Sequence, residues 1–202
     1  MKANKIKYSD IDHQQLIDVR ENEDYQKSAA KGSLSLRLDN IVRFPQYLLA
    51  NQMNYVFIID NDDNIADLKS ALEAINFKDD IHYILWSDVK TTETENINVI
   101  SAEDYNQKKE VDYTLVDLRL NDNFADEAKD NNSINIPLEN LKDRFYELDP
   151  KKPTYLICNT ANRATVAASY LTNKGFEPII ISDSVDYLNT LTDSESNFDH
   201  LL

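Results

Sequence analysis

PTYLICNTANRATVAASYLTNKG, residues 153–175, is the stretch from which the reading of this chain grows. Tyr155-Leu156-Ile157 is an apolar run too short for a helix and of the length expected for a buried strand. The chain's only cysteine, Cys158, stands where that run stops. A polar loop follows, Asn159-Thr160-Ala161-Asn162, and then Arg163. From Ala164 onward the composition turns helical, with Gly175 as the natural C-terminal stop. Strand, cysteine, tight loop and helix come in that order.

That order has a chemical use. Amides in the first turn of a helix have no carbonyl partner within it, so they can point at an anion over the helix N-terminus. A thiolate at Cys158 is such an anion, and the helix dipole favours it by at most about 2 kcal/mol. Anything beyond that has to come from loop amides and from the charge on Arg163. On the local pattern alone, a buried structural cysteine closing a strand fits equally well.

An internal repeat extends the pattern over the whole chain. Gln15-Leu16-Ile17-Asp18-Val19-Arg20 matches Thr114-Leu115-Val116-Asp117-Leu118-Arg119 at an offset of 99. Tyr55-Val56-Phe57-Ile58-Ile59-Asp60 matches Pro153 to Cys158 at an offset of 98, and Asn76-Phe77 matches Gly175-Phe176 at 99. Each half holds a strand ending Asp-x-Arg, a second strand, a loop and a helix, then a third apolar strand (Ile81 to Leu85; Pro178 to Ile181). Strands alternating with helices predict an α/β fold with parallel sheets, the loops after the strands lying at the carboxyl edge. The polar stretch around Thr91 to Asn96 reads as a linker. The predicted division is residues 1–90, a linker over 91–98, and residues 99–202. In each Asp-x-Arg element, acid and base two apart on a strand point the same way, which reads as a structural tie between loops.

Cys158 to Arg163 is Cys-x4-Arg followed by the small residue Ala164. This resembles the active-site loop of the rhodanese family, roughly Cys-x-x-Gly-x-Arg-Ser/Ala. Related phosphatases and arsenate reductases use a loop one residue longer, to fit a tetrahedral oxyanion. Ser133-Ile134-Asn135-Ile136-Pro137-Leu138 is similar to the family's Gly-Ala-x-Asn-Ile-Pro-Leu segment. The resemblance covers both halves and implies two tandem rhodanese-like domains, each a parallel sheet flanked by helices. It implies a sulfurtransferase in which Cys158 takes a sulfane sulfur as a persulfide and passes it to a thiol or cyanide. Asn159, Thr160, Ala161, Asn162, Arg163 and Ala164 would form the substrate-binding cradle. No organic cofactor and no metal are implied. Two departures stand out: Ala161 where the family has Gly, and Ser182 to Tyr187 where it often has Gly-Gly-x-x-x-Trp.

The first half keeps the pattern and loses the chemistry. Asp60 stands at the cysteine position, Asn61-Asp62-Asp63-Asn64 follow, and Ile65 replaces the arginine. Alternating carboxylates there suggest calcium, but the turn glycine and the distant Glu of an EF-hand are missing. The resemblance implies an inactive first domain. His13, His82 and His200 make no metal-ligand spacing with Cys158. Trp86, following a strand, reads as a packing anchor.

Composition sets the outer bounds. The net charge of −15 is shared: 11 basic against 17 acidic residues over 1–98 and 10 against 19 over 99–202. Such a surface disfavours nucleic acid and anionic membrane as partners. No apolar run approaches the roughly 20 residues needed to span a bilayer, and the N-terminus lacks the hydrophobic core of a signal peptide. One cysteine allows no internal disulfide, so a reducing cytoplasm is the expected location. The expected partners are a small sulfur donor and a thiol acceptor, either a small molecule or a protein. The alternative is a rhodanese-like module that binds a partner or senses oxidation without turnover.

Overall fold

The computed structural model describes residues 1–49, 54–109, 112–120, 128 and 130–199. They fall into two compact units, Met1–Asn96 and Ile97–Leu202. The first runs β1 (Ala3–Lys5), β2 (Gln15–Asp18), α1 (Asn22–Lys27), β3 (Ala29–Ala30), β4 (Leu34–Ser35), α2 (Leu38–Arg43), α3 (Gln46–Leu49), β5 (Tyr55–Ile59), α4 (Ile65–Ala74), β6 (Ile81–Leu85) and β7 (Thr94–Glu95). The second runs β8 (Asn98–Ile100), α5 (Ala102–Lys108), β9 (Thr114–Asp117), β10 (Ser133–Asn135), α6 (Leu141–Arg144), β11 (Thr154–Ile157), α7 (Asn162–Thr172), β12 (Pro178–Ile181) and α8 (Val185–Asp199).

Each unit contains a five-stranded, wholly parallel sheet, ordered β1-β6-β5-β2-β4 in the first and β8-β12-β11-β9-β10 in the second. Counted within each sheet, both orders are first-fifth-fourth-second-third, so the sequence repeat is a repeat of topology. The central strands explain their own composition. All residues of β5 and of β11 are buried, as expected for a strand covered by helices on both faces, which needs no polar alternation. Flanking helices present one apolar face, as with Leu68, Ala71 and Leu72 of α4.

The matched pair after α4 and α7 is a shared C-terminal stop. Asn76 has φ 58° and Gly175 has φ 86°, the left-handed conformation that ends a helix. The next amides, of Phe77 and Phe176, reach back five residues to Leu72 and Leu171, and both rings are buried. The stretch expected to be a linker has structure of its own. Thr94 and Glu95 form β7, which pairs antiparallel with β3, while Asn98 opens β8. Two polar residues carry no apolar period, so the pairing left no mark in the sequence.

A polar knot lies within the second core. The rings of Tyr105, Tyr113 and Tyr155 meet edge to face at centroid distances of 4.8 to 5.9 Å. Both Tyr105 and Tyr113 donate their hydroxyls to Asp130, at 2.9 and 2.7 Å, and Lys109 Nζ lies 3.2 Å from it. Burial pushes the Asp130 carboxyl up. The Asn132 amide, the two hydroxyls and the Lys109 charge outweigh that and hold it below the ordinary carboxylate range. A carboxylate with a folded value below its unfolded one adds stability above about pH 4 and loses it as pH falls through the folded value. Asp130→Asn is therefore expected to destabilise the second unit by about 1–2 kcal/mol at pH 7. The gap to the parent should shrink below about pH 4. Urea unfolding across pH checks both; a gap that persists unchanged in acid would show that Asp130 contributes no charge term.

Candidate functional site

β11 carries its buried run directly into Cys158, a free thiol only 1% exposed. Asn159 and Thr160 are exposed, Ala161 and Asn162 half-buried, and Ala164 fully buried. The chain reverses at Ala161, whose φ of 54° and ψ of −3° are left-handed. An L-residue with a Cβ pays roughly 1–2 kcal/mol for that conformation. The conformation is held from the helix side. Thr165 donates both its amide and its hydroxyl to the Ala161 carbonyl, each at 2.9 Å, and seven residues of α7 are buried. Helix α7 begins at Asn162, two residues earlier than composition suggests, because the reversal is complete there.

The loop is short of internal acceptors. Among the described residues no group accepts from the amides of Asn159, Thr160, Arg163 or Ala164. Arg163 is half-buried, and its Nε is buried with no hydrogen-bond partner among the described residues. A buried thiol, a set of open amides and a guanidinium whose Nε has no partner thus share one loop at the carboxyl edge of the sheet. That arrangement can hold a small anion against the sulfur.

The Asp-x-Arg pair stands beside this loop as a brace. Arg119 Nε donates to Asp117 at 3.0 Å and Nη2 at 2.8 Å, and Asp117 is 2% exposed. Leu118 donates its amide to the Ile157 carbonyl, coupling the brace to the residue before Cys158. Asn135 was quoted in the sequence only as part of a segment. Its Nδ2 donates to the carbonyls of both Asp117 and Arg119, at 2.9 and 3.0 Å, and so fixes the backbone after β9. Asp183, in the segment without the family's glycines, accepts from the Ala102 amide at 2.8 Å at the start of α5. Only a recurrent Asn before Ile-Pro hinted at Asn135; nothing local marks Asp183.

The first unit repeats the frame with other contents. Asp60 stands exposed at the end of β5. The loop after it closes on itself: Asn61 Oδ1 accepts from the Asp63 amide, and Asn64 Oδ1 from the Asn61 amide. The Asn64 and Ile65 amides go to the carbonyls of Asn61 and Asp62. Arg20 is braced by Asp18 at 2.7 Å and donates to the Ser28 carbonyl; its guanidinium lies 3.5 Å from the Trp86 ring centre. Trp86 is the packing anchor expected of it, with a cation on its face. Among the described residues there is no group of three or more His, Cys, Asp or Glu placed to hold a metal, and no helix long and apolar enough to cross a membrane.

The family model for the rhodanese-like domain matches residues 101–184, which contain Cys158 and its whole loop. No curated protein sequence matches the chain. Among solved structures, a rhodanese-related protein from Thermoplasma volcanium is 25% identical, covering 46% of this chain and 91% of that one, with a TM-score of 0.41. A thiosulfate sulfurtransferase from Pseudomonas aeruginosa is 12% identical over 91% of this chain and 41% of that one, with a TM-score of 0.35. A probable thiosulfate sulfurtransferase is 16% identical over 88% and 95%, with a TM-score of 0.37. The rhodanese-like domain model thus covers Cys158 and its whole loop in the second unit, and the first unit repeats that unit's strand order, with Asp60 directly after β5 as Cys158 is directly after β11.

Proposed function

We propose that the second domain is a sulfurtransferase that moves a sulfane sulfur from a donor such as thiosulfate to a thiol or cyanide. The observation that supports this most directly is the uncommitted Arg163 beside open loop amides around Cys158. In the first step the Cys158 thiolate attacks the outer sulfur of thiosulfate. A Cys–S bond forms, the S–S bond of the donor breaks, and sulfite leaves with the electron pair. In the second, cyanide or an acceptor thiolate attacks the outer sulfur of the persulfide, and the Cys158 thiolate is released with its pair. No other cysteine exists to resolve the persulfide, so the acceptor comes from outside the chain. The open amides and Arg163 hold the anionic end of the donor. The proposed location is a reducing cytoplasm, where the single thiol stays available.

A second reading is a binding or oxidation-sensing module without turnover. It draws on the near-complete burial of Cys158 and on the left-handed Ala161. Incubation with thiosulfate, mercaptopyruvate or a small persulfide separates the two. Intact-protein mass spectrometry should show a gain of one sulfur atom, removed by cyanide as thiocyanate. If no donor in that panel leaves a sulfur on the protein, the sulfurtransferase reading fails and the binding module stands.

A further inference from the structure

The loop that bears Cys158 is anchored at both ends. On the helix side, Thr165 donates twice to the Ala161 carbonyl, and the first-turn amides of Arg163 and Ala164 have no acceptor among the described residues. On the strand side, the Leu118 amide donates to the Ile157 carbonyl at 3.0 Å. The planar peptide unit that carries this carbonyl also carries the Cys158 amide, so its orientation sets where the sulfur leaves the strand. Cys158 is 1% exposed, which leaves the thiol little room to correct an error by rotating. The sulfur therefore takes its place from one anchor, and part of the anion cradle takes its place from the other.

The strand-side anchor is held by Asn135. Its register partner in the sheet is Asp117, and each is the last residue of its strand. The two hydrogens of its amide group bridge the carbonyls of Asp117 and Arg119, at 2.9 and 3.0 Å, and clamp the backbone on both sides of Leu118. Asn135 is fixed in turn: its own carbonyl accepts from Arg144 Nη1 at 3.1 Å, and Arg144 is paired with Glu147 through two bonds of 2.7 Å. The first unit offers a comparison within the same chain. There the partner of Asp18, at the same register, is Ser35. A hydroxyl has one hydrogen and cannot bridge two carbonyls. The unit without a cysteine keeps the strand pairing and lacks the clamp.

We infer that Asn135 is a positioning residue, acting through Leu118 and Ile157 to hold the Cys158 sulfur in line with the open amides and Arg163. The inference rests on the reading of this loop as the place where an anionic sulfur donor is bound.

The test compares iodoacetate with iodoacetamide as alkylating agents of the full chain at constant ionic strength. The two reagents differ in charge and react with the same thiol, and the urea-unfolded chain gives the ratio of their rates without a cradle. The folded parent should favour iodoacetate by about tenfold over that reference, the effect of one charge-assisted hydrogen bond. Asn135→Ser, which copies the first unit, should lose most of that preference. Asp130→Asn, which weakens the same unit from a point before β10 begins, should keep it. Where Asn135→Ser does not fold, Asn135→Gln, with both hydrogens on a longer arm, takes its place in the same comparison. With thiosulfate and cyanide, Asn135→Ser should lower kcat about tenfold and leave KM within about twofold. A preference that Asn135→Ser retains, that Asp130→Asn loses equally, or that the parent lacks would overturn the inference. So would a raised KM at unchanged kcat, which would put Asn135 in donor binding. A parent that favours iodoacetate but takes up no sulfur would remove the sulfurtransferase reading and leave the role of Asn135 standing.

Discussion

Arg163→Gln is expected to lower kcat/KM for thiosulfate by about 10²–10³-fold, the usual loss when one donor to a developing anion is removed. The unfolding free energy of the second domain should change by no more than about 0.5 kcal/mol. The two halves of this expectation come from the same fact. Arg163 has no partner within the described protein, so its removal breaks no internal bond, and whatever it contributes is made with the ligand. Arg163→Lys keeps the charge and loses the planar fork, so it should fall between parent and Gln. Cys158→Ser is the limiting case and should abolish both the sulfur adduct and thiocyanate formation. Steady-state thiocyanate assays and urea titration make the comparison. An Arg163→Gln enzyme with undiminished kcat/KM would remove the arginine from the proposed site and leave the amides as the whole cradle.

The second large effect is one of stability. Arg20→Met is expected to destabilise the first domain by about 3–5 kcal/mol, because it leaves the Asp18 carboxylate buried without its cation. Burial pushes the Asp18 carboxyl up even in the parent, against the pull of Arg20, so the pair is already under a desolvation load. Removing both partners together, Asp18→Leu with Arg20→Met, should cost far less than the single change. The chain supplies a private reporter for each half: Trp86 is its only tryptophan and Cys158 its only cysteine. Tryptophan fluorescence during urea unfolding reads the first domain, and thiol accessibility reads the second. Arg20→Met should shift the fluorescence transition and leave the thiol transition in place. Equal costs for the single and double changes would mean that the lost stability lies in the stacking on Trp86.

What was legible in the sequence was whatever burial writes into composition. The continuous apolar runs of β5 and β11 announced central strands, and the Asp-x-Arg pairs announced a brace, because each places its residues on one side of a strand. Asn76 and Gly175 could be aligned because few residues take a left-handed helix stop. The edge strands were not legible. Residues of β1 are all exposed and those of β8 partly so, and a strand that borders solvent needs no apolar pattern. Spacing alone marked the loop from Cys158 to Arg163 as the candidate site. The closed loop after Asp60 could not, since it depends on the directions of two asparagine side chains. Nor could the stacking of Arg20 on Trp86, which brings the end of one strand to the end of another.

The order of strands has a consequence for how the chain is made. In each sheet the first strand to be synthesised pairs with the last: Ala3 lies beside Ile81, and Asn98 beside Ile179. As the chain emerges from a ribosome, β1 has no neighbour until β6 follows it out, and β8 waits in the same way for β12. Strands β2, β4 and β5, and later β9, β10 and β11, can pair before β1 or β8 is joined. Parallel pairings of such long sequence separation are slow to form and leave an open edge exposed meanwhile. The polar, short β1 carries three exposed residues and little that could seed pairing with another chain during that wait.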